Sequence, residues 1–134
     1  MSIIVTDIGF EPATARNIVP LAERTPETVA LDLANTDDPD LLEGKLDGIT
    51  LIRVAFPAFS DGRAFTIARR LRMLGYKGQL LAHGHIIADQ YAMARRVGFD
   101  GAEISEELAA RQPWEQWQSR ADWRAHDYQA RLRA

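Results

Sequence analysis

The sequence predicts a single small α/β domain spanning residues 1–134: a mainly parallel sheet of about four to five strands, helices packed on it, and an aromatic helix at the C-terminal end. Three observations carry that expectation. Short β-branched apolar runs alternate with segments whose apolar residues recur at helical spacing. Glycine or proline punctuates most of the boundaries between them. A length of 134 residues is one domain's worth.

The elements follow in chain order. Ser2–Thr6 and Thr28–Leu33 read as strands, and Pro39–Gly44 as a short helix. In Ile18-Val19-Pro20-Leu21 the proline lacks an N–H and would clash with the preceding turn, which argues against a full helix there. Gly48–Phe56 is a nearly continuous apolar run, the pattern of a strand covered on both faces, and Pro57 ends it. Ser60-Asp61-Gly62-Arg63 supplies a loop with capping chemistry, in which Gly62 gives the tight turn. Ala64, Ile67, Ala68, Leu71 and Leu74 then recur at helical spacing, opposite Arg69, Arg70 and Arg72, until Gly75 stops the helix.

The pattern repeats. Tyr76-Lys77-Gly78 is a turn and Gln79–His83 a strand. After Gly84-His85 a helix runs from about Ile86 to Val97, with Ile87, Tyr91, Ala94 and Val97 inward. Gly98 closes it, and Phe99–Ile104 is a strand. Strand, helix, strand, helix, strand over residues 48–111 implies right-handed crossovers and a parallel sheet. Pro113 suits the first turn of a final helix over residues 113–132. Trp114, Trp117, Ala121, Tyr128 and Leu132 fall on one stripe of it. That stripe either covers the sheet of its own subunit or, with Trp123 near the seam, joins a homodimer.

Composition removes several function classes. There is no cysteine, which excludes disulfides, thiolate zinc, cysteine-ligated iron–sulfur clusters and thiol catalysis by this chain. The start lacks a basic n-region, and no apolar run approaches the roughly 18 residues of a membrane span, so a soluble cytoplasmic protein with no membrane partner is expected. Residues 1–50 carry three basic and ten acidic side chains; residues 51–134 carry thirteen and nine. The halves can neutralise each other, or the second can offer a basic face to an anion or an acidic protein. No nucleic-acid motif or aromatic-interleaved basic run is present, so no nucleic-acid partner is expected.

Phe56-Pro57-Ala58-Phe59-Ser60-Asp61-Gly62-Arg63, Ala68-Arg69-Arg70-Leu71-Arg72 and Gly75-Tyr76-Lys77-Gly78 continue in register into Gly84, Asp89-Gln90, Arg96 and Gly98-Phe99-Asp100. This combination resembles a bacterial domain-of-unknown-function family whose genes commonly neighbour those for sulfite reductase. Ile18-Val19-Pro20-Leu21 and Tyr128-Gln129 are weaker matches at the two ends. The resemblance implies a protein of assimilatory sulfate or sulfite reduction; members are described as uncharacterised or as oxidoreductases linked to sulfite reduction. It brings no catalytic residue with it. The family pattern has aspartate after the glycine at 84, where this chain has His85.

In parallel sheets ligands bind beyond the carboxyl ends of the strands. Three loops meet there, bringing Ser60, Asp61, Arg63, His83, His85 and Glu103 or Ser105 to one rim. The loop of Ser60, Asp61, Gly62 and Arg63 is the candidate ligand site, a helix start that would hold sulfite, sulfate or phosphate. The alternative is that Ser60 or Asp61 only caps that helix. His83 and His85 are the candidate catalytic groups, as acid–base imidazoles. No metal is expected, since there is neither H-E-x-x-H nor cysteine. No cofactor is expected either, since G-x-G-x-x-G and the phosphate-loop lysine are both missing. The leading expectation is an accessory protein that supports sulfite reductase by docking to it or by delivering electrons or an intermediate. The alternatives are a small enzyme, including an oxidoreductase, binding an oxyanion at Asp61-Gly62-Arg63, and a structural homodimer built on Trp114, Trp117 and Tyr128.

Overall fold

Seven strands form one sheet in the order β2-β1-β7-β6-β5-β4-β3. The computed structural model describes residues 2–14, 16–58 and 62–121, the side chains of 120 and 121 excepted. The strands are β1 (Ser2–Thr6), β2 (Gly9–Pro12), β3 (Val19–Pro20), β4 (Ala30–Leu33), β5 (Leu51–Phe56), β6 (Gln79–Gly84) and β7 (Gly101–Ser105). From β3 to β7 every pairing is parallel, and β1 and β2 add an antiparallel hairpin on the β7 edge. The α-helices are α1 (Arg63–Met73), α2 (Tyr91–Val97), α3 (Glu106–Arg111) and α4 (Trp114–Ala121).

The fold class is as the sequence predicts, and the strand count is higher. The two extra strands lie at the sheet edges, where pattern is weakest. β2 offers only Phe10 as an apolar anchor, and β3 is two residues long. Pro20 is tolerated in β3 because an edge strand has one side with no ladder bond to lose.

Period-two alternation sorts the side chains. Ile52, Val54 and Phe56 of β5, with Leu80, Ala82, Ala102 and Ile104 beside them, join Ala64, Leu71, Tyr91 and Trp117 in one core under the helices. The opposite face carries Ile4, Ala30, Leu51 and Leu81, packed by Ala13 and Ile18. Helices therefore cover one face of β5, and a loop covers the other. That loop is the six-residue connection between β2 and β3, which lie at opposite edges of the sheet. We call this connection the strap.

Two helices differ from expectation. The helix expected from about Ile86 begins as a 3-10 turn, Ala88–Gln90, and becomes α-helical at Tyr91. Side-chain amides cause this: Gln90 Oε1 accepts from the Ile87 N–H at 3.0 Å, and Gln112 Oε1 from the Ala88 N–H at 2.6 Å. Ile86 is consequently buried, while Ile87 is only half-buried. Before the aromatic helix comes the unforeseen α3, capped by Ser105, whose Oγ accepts from the Leu108 N–H at 3.1 Å. In α4, Trp117 is fully buried in its own chain; its indole donates to the Gln112 carbonyl at 2.8 Å and meets Tyr91 edge-on. Trp114 packs half-buried beside it against Phe10. Trp123, Tyr128 and Leu132 lie outside the described residues. No helix among the described residues is long and apolar enough to cross a membrane.

Candidate functional site

Four neighbouring strands each place one polar side chain on the strap face: Asp32 on β4, Arg53 on β5, His83 on β6 and Glu103 on β7. Asp32 is in register with Arg53, and His83 with Glu103. Arg53 donates from Nε and Nη2 to Asp32 Oδ1 and Oδ2 at 2.6 and 2.7 Å, a two-pronged pair, and from Nη1 to Glu103 Oε2 at 2.8 Å. Arg16, reaching down from the strap, donates to Glu103 Oε1. Glu103 is 2% exposed, so each of its oxygens is held by a different guanidinium in a largely dry setting.

Desolvation and pairing fix the protonation states. Burial pushes the Glu103 pKa up, but the Arg16 hydrogen bond and the charges of Arg53 and Arg16 more than offset it and hold the group below its ordinary value, as carboxylate. Burial likewise works against the Arg53 cation, and Asp32 and Glu103 outweigh it. For His83, burial first and the Arg53 charge second push the pKa below the ordinary imidazole value, against the opposing pull of Glu103 and Asp32. His83 is therefore neutral at neutral pH, with one ring nitrogen to donate and one to accept. Its ring makes no hydrogen bond to a described residue.

A cleft of about 480 Å³ opens beside this network at the carboxyl ends of β6 and β7. His83, His85, Glu103, Ser105, Glu107 and Arg111 line it. Its size falls within the range of small-molecule sites. Gly84 shapes the rim. Its φ is +123°, and a Cβ there would stand 2.7 Å from the Phe56 carbonyl oxygen. The twist at Gly84 lets the His85 N–H donate to that same carbonyl at 2.9 Å and brings both histidines to the cleft. A second cleft of about 430 Å³ lies under the strap, with Thr14, Arg16 and Ile18 above and Arg53 and Glu103 below; Ser2 and Glu103 line both.

The structure thus gathers His83, His85, Glu103 and Ser105 as the strand-end argument expects. It does not bring Gly62 or Arg63 to the lining of either cleft. Ser60 and Asp61 lie outside the described residues. Gly62 has φ −89° and ψ −3°, a type I turn conformation with negative φ that does not demand glycine, so no glycine-only turn is needed at that point. Asp32, Arg53 and Arg16 escaped the sequence reading. A signal existed, since Arg53 and Asp32 each interrupt an apolar strand, and a charge inside such a run needs a partner. No group of three or more metal-ligating side chains occurs among the described residues.

No curated protein matches the chain. A family model described as a bacterial protein of unknown function, DUF934, matches residues 30–134. That span holds β4 to β7, all four α-helices and the Asp32, Arg53, His83 and Glu103 set; β1, β2, the strap and β3 precede it. With most of its length matched, the chain belongs to the DUF934 family of bacterial proteins.

Proposed function

We propose that this protein is an accessory factor of assimilatory sulfite reduction that binds a small sulfur oxyanion in the His83 cleft and passes it to or from sulfite reductase. The observation that carries the binding half is the half-buried imidazole of His83, which lines a small-molecule-sized cleft and makes no hydrogen bond to a described residue. Ser105 adds a hydroxyl on the same rim, and Arg111, which also pairs with the lining Glu107, adds a guanidinium within reach of an oxyanion. The sulfur chemistry comes from the family resemblance alone. Perturbed titratable groups in a strand-end cleft are the usual mark of a ligand site, which supports placing the chemistry here.

Docking to sulfite reductase is supported by the sheet face that carries no helix, since His83 and Glu103 on that face also line the cleft. The aromatic helix is the weaker docking element, because its Trp117 is already buried against its own chain. Calorimetric titration of the full-length protein with sulfite, sulfate and phosphate tests the reading. Sulfite is expected to bind the wild type, and at least about tenfold more weakly to His83→Ala, the loss of one good hydrogen bond. A folded wild type that gives no heat with any of the three refutes the binding half.

A further inference from the structure

Strands β6 and β7 line the His83 cleft together with α3. β7 ends at Ser105, the next residue starts α3, and Glu107, Leu108 and Arg111 all reach the cleft. Positions 107 and 111 are one helical turn apart, so their side chains stand on the same side of α3. There Arg111 Nη2 donates to Glu107 Oε1 at 2.5 Å. Glu107 Oε2 makes no hydrogen bond to a described residue. Ser105 Oγ accepts from the Leu108 N–H at 3.1 Å and keeps its own proton to donate. Glu103 has both oxygens engaged already, by Arg16 and Arg53. The cleft thus offers a hydroxyl and the remaining guanidinium N–H groups as donors, and beside them one carboxylate oxygen that can only accept.

From this inventory we propose that Glu107 is a specificity residue, which makes the cleft accept an oxyanion that carries a proton, such as hydrogen sulfite or hydrogen phosphate, and turn away sulfate. Near neutrality every oxygen of sulfate is an acceptor. Sulfate can take the Ser105 hydroxyl and the free Arg111 N–H groups, but an oxygen facing Glu107 meets a second acceptor with no hydrogen between them. A protonated oxyanion brings that hydrogen itself and donates it to Oε2. Glu107 is 72% exposed, so water screens the mismatch, and the discrimination is about tenfold where a dry site would give far more. The inference rests on the proposed oxyanion site and names its ligand class. A factor serving the sulfite step has to stay empty of the more oxidised anion.

Phosphate and sulfate are the probes, because at about pH 8 both are dianions and only phosphate still carries a proton to donate. The full-length protein is titrated with each by calorimetry at matched ionic strength, with sulfite alongside. The wild type is expected to bind phosphate at least about tenfold more tightly than sulfate. In Glu107→Gln the amide donates as well as accepts, so sulfate is expected to gain about tenfold and the preference to fall below about twofold. Sulfate binding the wild type as tightly as phosphate overturns the inference, and this arm needs no variant. Equal tightening of both anions in Glu107→Gln also overturns it, since Glu107 would then only compete for Arg111. Absence of phosphate binding overturns it as well, and sulfite then separates the two readings: heat from sulfite leaves the oxyanion site standing, and no heat from any of the three refutes both.

Discussion

Arg53 and Glu103 are bonded across a strand that contains neither of them. Nη1 on β5 lies 2.8 Å from Oε2 on β7, and the pair passes diagonally over β6 between the positions of Leu81 and His83. Three strands are thereby tied on a face that has no helix to hold it. Arg53 is 13% exposed, so its removal leaves Glu103 and Asp32 facing each other's charge without the shared cation. Arg53→Ala is expected to destabilise the fold by about 3 kcal/mol, the low end for breaking a buried pair because Asp32 is partly solvated. Urea unfolding measures it, and a loss below about 1 kcal/mol would contradict the account.

Acidification is expected to weaken the fold in two steps. The folded His83 pKa lies below 6.5, so as pH falls the unfolded chain takes up this proton first. The stability it contributes is complete above pH 6.5 and is lost between there and the lower folded value. Glu103 is also depressed, below 4.5, so its contribution is present above that pH and disappears as pH falls through its folded value. Urea midpoints between about pH 3 and 8 should fall twice, with His83→Gln removing the upper step and Glu103→Gln the lower. An NMR titration that places the His83 midpoint above 6.5 would contradict the assigned environment.

Gly84→Ala tests the rim. The new methyl would meet the Phe56 carbonyl at 2.7 Å in a backbone region that L-residues avoid. A loss of about 1–3 kcal/mol is expected, with chemical-shift changes at both His83 and His85. A variant as stable as the wild type, with both imidazole signals unmoved, would show that the strand end is less constrained than its geometry implies.

Trp117→Ala is expected to cost about 3–5 kcal/mol, since it empties a fully buried indole site and strands the Gln112 carbonyl. Sedimentation should show an unchanged oligomeric state. A change in association with little loss of stability would favour the aromatic homodimer seam instead.

Much of the frame was legible in the sequence because the parallel strands carry strong local signals. Leu51-Ile52-Arg53-Val54-Ala55-Phe56 and Gln79-Leu80-Leu81-Ala82-His83 are apolar and bounded by turn residues, and both became strands at those positions. The edge strands were not legible, since β3 owes its place to pairing with β4 and not to its own composition. The site was half legible for a related reason. His83, His85 and Glu103 follow from where a parallel strand ends. The clamp of Asp32, Arg53 and Arg16 depends on register across strands and on a strap crossing the sheet, contacts separated by up to 87 positions in the chain. The charges of Asp32 and Arg53 inside apolar strands signal locally that partners are needed, but which residues those partners are is set only by the fold.

The most direct test of the central claim is growth of the gene-deleted bacterium, complemented with wild type or His83→Ala, on sulfate, sulfite, sulfide or cysteine as sole sulfur source. The account predicts that the deletion strain and the His83→Ala strain fail on sulfate and sulfite, grow on sulfide and cysteine, and that wild type restores growth on all four. Normal growth of the deletion strain on sulfite would contradict it.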